Sequence, residues 1–144
     1  MSGGELYFVD TNVLLYSCDA AEKAKQRAAK EWLEALWESG SGRISWQVLH
    51  EFYVNSARKL KAPVPEAQAT VEAFAQWQPV ETSLGLIQSA WHWMEEAQIS
   101  YWDALILAAA QRAGCRFLLS EDFQEGREAG GVKVVNPFRK GPEG

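Results

Sequence analysis

The sequence predicts an α/β protein in which short parallel strands alternate with helices inside one domain. Three observations carry that reading. Leu6 to Val9 is a short apolar run of β-formers that stops abruptly at Asp10, the pattern of a strand buried on both faces. Between residues 22 and 113, apolar residues recur at helical spacing in segments separated by Gly, Pro, Ser or Thr breaks. Two further short apolar runs, 116–119 and 133–135, follow near the C-terminus. Strands alternating with helices build a parallel sheet.

Taken in order, residues 6–9 form the first strand. Residues 22–38 form a helix, with Ala28, Trp32, Leu33, Leu36 and Trp37 near helical spacing, and Ser39-Gly40-Ser41-Gly42 ends it. Residues 43–45 are expected to be a strand and 46–60 a helix. Ala62-Pro63-Val64-Pro65 breaks the chain before a helix over 66–77, and Pro79-Val80 is a candidate strand edge. Leu84, Ile87, Trp91 and Met94 make the apolar stripe of another helix. Residues 100–113 form a helix apolar almost all round, hence buried, stopped by Gly114. Strands over 116–119 and 133–135 follow, the latter closed by Asn136-Pro137. Residues 1–138 are read as one domain and 139–144 as a loose tail.

Composition narrows the class. At 144 residues, 47% hydrophobic and 23% charged, the chain suits one globular domain with a proper core. No apolar run reaches the ~18 residues of a membrane span, and the N-terminus lacks a signal-peptide layout, so the cytoplasm is the expected location. Cys18 and Cys115 form no C-x-x-C or Cys/His cluster, which leaves no disulfide framework or zinc site. The net charge of −5 argues against one large basic face. Four carboxylates committed to a cation would leave the remainder near neutral, so a nucleic-acid substrate stays compatible. The seven Trp carry no motif and are expected in the core or an oligomer interface.

The acids carry the functional signal. Ligands of an open parallel sheet bind outside the carboxyl ends of its strands. Asp10 directly follows the first strand, and Asp122 lies three residues beyond Leu119, so both fall at that edge. Thr11 and Asn12 can turn the chain there and donate hydrogen bonds that keep a carboxylate ionised. Asp103 sits in the first turn of the buried helix, and Glu51 at the polar margin of a helix whose other face is Val48, Leu49 and Phe52. Each acid also has a purely structural reading: Asp10 a helix N-cap, Ser100-Tyr101-Trp102-Asp103 a capping box, Glu51 a solvated helix residue, Asp122 a turn residue. Gathered together, however, like charges need a compensating cation. An oxygen-only ligand set suits Mg²⁺ or Mn²⁺, and the chemistry such a centre serves best is phosphodiester hydrolysis.

The stretches "FVDTNVLLY", "VLHEF", "SYWDALILAAA" and "LLSEDFQEG" followed by "VVNPF" resemble, in order and over nearly the whole chain, the PIN-domain family, and within it the toxin subunits of VapBC-type toxin–antitoxin pairs. The resemblance implies a three-layer α/β/α sandwich with a short-stranded parallel sheet, and a Mg²⁺- or Mn²⁺-dependent endoribonuclease. It implies Asp10, Glu51, Asp103 and Asp122 as the acidic quartet, with Asp10 and Asp103 the firmest metal ligands and Glu51 and Asp122 ligating directly or through water. Thr11, Asn12 and Ser120 would be hydrogen-bonding residues around the cluster, and Glu121 a flank. A homodimer and a cognate antitoxin protein are implied as partners beside the RNA substrate.

Two rivals make different demands. A haloacid-dehalogenase-type phosphatase needs a second Asp two residues after the first, where this chain has Asn12. A catalytically inactive PIN-like module binding RNA or protein would carry the acids as remnants. His50 and His92 have no catalytic partner in the sequence. Arg58, Lys59 and Lys61, and separately Arg112 and Arg116, are candidate phosphate contacts, with a solvated basic face as the plain alternative.

Overall fold

The computed structural model describes residues 4–142. Strand β1 (Tyr7–Val9) leads through Asp10 into helix α1 (Thr11–Ser17), followed by α2 (Lys23–Ser39) and β2 (Gly42–Arg43). Helices α3 (Trp46–Arg58), α4 (Val64–Phe74, continued by a 3-10 turn Ala75–Trp77), α5 (Leu84–Ala97) and α6 (Tyr101–Arg112) precede β3 (Phe117–Leu119), β4 (Glu128–Ala129) and β5 (Val132–Val135). The sheet order is β2-β1-β3-β5-β4. All pairings are parallel except β4 with β5. This is the expected α/β/α sandwich on a short-stranded, mostly parallel sheet.

The register fixes the functional edge. Val9 pairs with Leu119 and Leu119 with Val135, so Asp10 and Ser120 leave neighbouring strands at the same level. The Asp10 N–H donates to Leu119 O at 3.1 Å, and the Ser120 N–H to Val135 O at 3.1 Å. Phe8, Val9, Leu118 and Leu119 are fully buried, which anchors that edge to the core: truncating Phe8 to Ala would cost about 3–5 kcal/mol.

Several boundaries follow from local chemistry. Ser45, Ser83 and Ser100 each cap a helix, accepting from the N–H three residues on. Gly114 takes φ +78° after α6, which a side chain would resist. At Gly42 a Cβ would overlap the Trp77 ring, so β2 lies flush against that indole only because it carries glycine. The expected strand edge at Val80 is a single parallel bridge to Ser45.

Four features depart from the expectation. Helix α1 is a true helix of seven residues, although its Thr, Val and Tyr content favours β structure. The β4–β5 hairpin turns on Gly130-Gly131, both at positive φ, a two-residue turn signalled by the Gly-Gly pair. The apolar stripe of α5 is turned mostly outward: Leu84 is 65% and Trp91 54% exposed, Met94 is exposed as well and Ile87 is half-buried against the core, while Leu86, Ala90 and Ala97 are buried. A helix lying against the alanine-rich α6 presents its small residues for close approach, which turns the large ones to solvent. Only Trp32 and Trp77 of the seven Trp are buried, and Trp37, Trp46, Trp91 and Trp102 are exposed. Those four therefore lie outside the core of the chain, and only the oligomer-interface half of the expectation applies to them. In α6, by contrast, Ala104 through Ala110 are all buried as expected, because the helix touches α5, β3 and β5.

Trp32 Nε1 donates to Pro137 O at 3.2 Å and Lys140 O at 2.8 Å, which ties the segment after β5 to α2. No helix among the described residues is long and apolar enough to cross a membrane.

Candidate active site

Asp10 is the N-cap of α1 and only 6% exposed. Its Oδ1 accepts the Thr11 N–H at 2.8 Å and its Oδ2 accepts the Ser120 hydroxyl at 2.8 Å. The capping reading and the functional reading therefore coincide: the cap fixes the carboxylate at the mouth of the sheet. Burial pushes its carboxyl up to about 7. The hydrogen bonds from Ser120 and Thr11 oppose that shift, and the charges of Asp122 and Glu51 add to it.

Asn12 is the hub between the first and last acids. Its Nδ2 reaches Ser120 Oγ at 3.1 Å, Asp122 Oδ2 at 3.2 Å and, at the limit, Asp10 Oδ2 at 3.4 Å. Its Oδ1 accepts the Glu121 N–H at 3.3 Å, and Ser120 Oγ accepts the Asp122 N–H at 3.1 Å. These bonds span about a hundred residues of sequence and lock the turn after β3 onto the start of α1.

Glu51 enters from α3. The Thr11 hydroxyl donates to its Oε1 at 2.6 Å, and Gln47 Nε2 donates to its Oε2 at 3.2 Å. Gln47 Nε2 also lies 3.4 Å from Trp102 O, which links α3 to the turn holding Asp103. Asp103 is partly exposed, and its N–H donates to Ser100 Oγ at 3.1 Å. Its carboxyl is raised by burial first, lowered by the bond with Ser100, and raised by Asp122 and Glu51. The four acids thus come from four separate elements and share one field at the carboxyl edge.

Among the described residues, no three His, Cys, Asp or Glu side chains are gathered closely enough to hold a metal ion as they stand. Asn12 bonds both Asp10 and Asp122, and Thr11 bonds both Asp10 and Glu51, so these acids are linked through polar side chains and backbone N–H groups. The donor set nevertheless fits a hard cation: it is all oxygen, it includes a buried acid, and its members raise one another's proton affinity. Cys115 contributes nothing here, since burial pushes its thiol up to about 12. His50 is exposed, and His92 packs edge-on against Trp93.

Lys25, which no motif marks, also belongs to this edge. Its Nζ lies 2.7 Å from Glu121 Oε2 and 3.4 Å from the Tyr16 hydroxyl, above the Tyr16 ring at 4.7 Å and the Phe138 ring at 5.4 Å. It neutralises the fifth acid beside the quartet. The contact joins residues 96 apart, and no spacing in the sequence signals it. A groove of about 590 Å³ between α1 and α3 opens beside Glu51 and Asp122. A second hollow of about 350 Å³ around Trp37, Gly42 and Trp77 has no acid in its wall.

No curated protein sequence matches the chain. Solved structures that share its fold include the following two. A toxin–antitoxin complex from Klebsiella pneumoniae aligns at TM-score 0.67 with 23% identity, over 91% of this chain and 97% of the other. The Mycobacterium tuberculosis protein VapC20, a toxin that cleaves the sarcin–ricin loop, aligns at TM-score 0.59 with 22% identity, over 81% of this chain and 89% of the other. The family model described as PIN domain matches residues 7–125, a span that holds all four acids, and the chain belongs to the PIN domain family.

Proposed function

We propose that the chain is a metal-dependent endoribonuclease and the toxin of a toxin–antitoxin pair. One observation carries the reading: Asp10 and Asp103 both feel the charges of Glu51 and Asp122 at one edge of the sheet, and the deepest of the four, Asp10, has its carboxyl pushed up to about 7. Membership of the PIN family supports it, as does the fold shared with two structures whose descriptions name toxins. Asp10 and Asp103 would hold Mg²⁺ or Mn²⁺ most directly, with Glu51 and Asp122 ligating directly or through water. The ion supplies charge neutralisation at the phosphate and activation of the attacking water.

The chain's own side chains do the rest. Ser120 and the Thr11 N–H fix the Asp10 carboxylate. Asn12 sets Asp122, and Thr11 with Gln47 sets Glu51, so three of the four acids are held in one orientation. A carboxylate of the cluster orients the water for in-line attack on phosphorus, and no side chain becomes covalently attached. Asn12 cannot serve as the proton-transferring acid of a dehalogenase-type phosphatase, because a carboxamide has no proton that titrates near neutral pH. The partners proposed are RNA, an antitoxin protein, and a second copy of the chain covering exposed apolar residues such as Tyr53, Val54 and Val64.

The test is cleavage of mixed structured RNAs by purified protein in Mg²⁺ or Mn²⁺ against EDTA, with Asp103→Asn alongside. Metal-dependent cutting lost in the variant is the expected result. Cutting that survives the substitution, or RNA binding indifferent to metal with no cutting, would sink the assignment.

A further inference from the structure

The groove beside the acids has a charged far end. Glu51, Asn55 and Lys59 all line it, and their four-residue spacing sets them on one face of α3. At about 1.5 Å per residue, Lys59 stands roughly 12 Å along the helix from Glu51. Of the basic run Arg58, Lys59 and Lys61, Lys59 lines the groove and the other two do not. Among the described residues its Nζ makes no hydrogen bond or ion pair, whereas Lys25 is held on Glu121. Asp19, across the groove, accepts the Ala21 N–H at 3.1 Å.

We propose that Lys59 binds the RNA phosphate flanking the scissile one, so that the strand runs from the carboxylates along the groove toward the C-terminal end of α3. The inference rests on the nuclease reading above and assigns that site a strand direction. A polyanion leaving a cluster of acids meets repulsion from Glu51 and Asp122, and a cation roughly 12 Å further along the helix offsets it. An ammonium on a flexible stem suits a phosphate whose position shifts during turnover. The competing role for Lys59 is purely structural. It caps the C-terminus of α3, with its N–H on Asn55 O at 2.8 Å, where a cation complements the helix dipole. That role predicts a change in thermal stability and none in RNA binding.

The test is anisotropy of a labelled single-stranded RNA bound to Asp103→Asn protein across a range of KCl concentrations, with Lys59→Ala, Lys59→Arg and Lys30→Ala added in turn. One lost phosphate contact lowers the magnitude of the log K against log salt slope by about 0.7. We expect that change for Lys59→Ala, its reversal in Lys59→Arg, and none for Lys30→Ala on α2. An unchanged slope in Lys59→Ala, or an equal change in Lys30→Ala, overturns the proposal while RNA cleavage by the wild-type protein leaves the nuclease reading standing. Failure of both binding and wild-type cleavage overturns the two together.

Discussion

The β1–α1 junction and the first turn of α6 each present a carboxylate at a helix N-terminus, and they differ in depth. Asp10 is enclosed between two strands and bonded to Thr11 and Ser120, while Asp103 is partly exposed and faces Ser100. Both feel Asp122 and Glu51, and in both burial is the largest cause of a raised carboxyl. The difference teaches that depth at the sheet edge, more than the charge of the neighbours, determines which acid is poised near neutrality.

Activity gives the strongest test of that pairing. Asp10→Asn and Asp103→Asn are each expected to lower metal-dependent cleavage on the order of a thousandfold while keeping the native circular dichroism spectrum. Loss in one variant alone would break the equivalence of the two positions.

Stability against pH separates them. A carboxyl whose folded pKa lies above its unfolded value holds its proton more tightly in the native state. Stability therefore falls as pH rises from about 4 to about 7. In EDTA, Asp10 would contribute a loss of up to roughly 4 kcal/mol over that window. Urea midpoints of Asp10→Asn should exceed wild type at pH 8 and converge with it at pH 4. Asp103→Asn should show the same sign and a smaller gap, and a larger gap than Asp10→Asn would invert the comparison.

Divalent cation should close that gap from the other side. Mg²⁺ or Mn²⁺ at a hundredfold excess over Kd would stabilise the wild-type protein by about 2.7 kcal/mol, read as a rise in Tm at pH 8. The rise should disappear in Asp10→Asn.

Ser120→Ala removes a donor from a buried carboxylate and is expected to cost about 1–3 kcal/mol. It should also move the pH-dependent loss to higher pH, because a bond that favours the ionised Asp10 is gone. The smallest effect belongs to Lys25→Met. Its ion pair with Glu121 is partly exposed, so stability should change by less than about 1 kcal/mol. Left without its partner, however, Glu121 is an unneutralised charge next to Asp122, and a Mg²⁺ titration should show tighter binding.

Much of this was legible in one dimension. The run ending at Asp10, the buried all-round apolar pattern of α6 and the serine caps each act through near neighbours, so propensity and periodicity report them. The pattern of α5 misled for a physical reason: periodicity says that a helix has an apolar face without saying what meets it. Against α6 the face bearing Ala90 and Ala97, with Leu86, is buried, and Trp91 is left outside. Helix α1 was invisible because seven residues with modest propensity become helical only when Asp10 caps them and Val13 and Leu14 are buried.

The sequence by itself determined the α/β class, the strand–acid junction at Asp10 and the four acidic motifs in order. Those are local facts, set by side-chain polarity and by the short range of backbone hydrogen bonding. Only the tertiary structure decided that Asn12 joins Asp10 to Asp122, that Lys25 neutralises Glu121, and that Lys59 alone of its run turns into the groove. Those contacts depend on strand register and helix rotation, which are fixed by packing between distant segments.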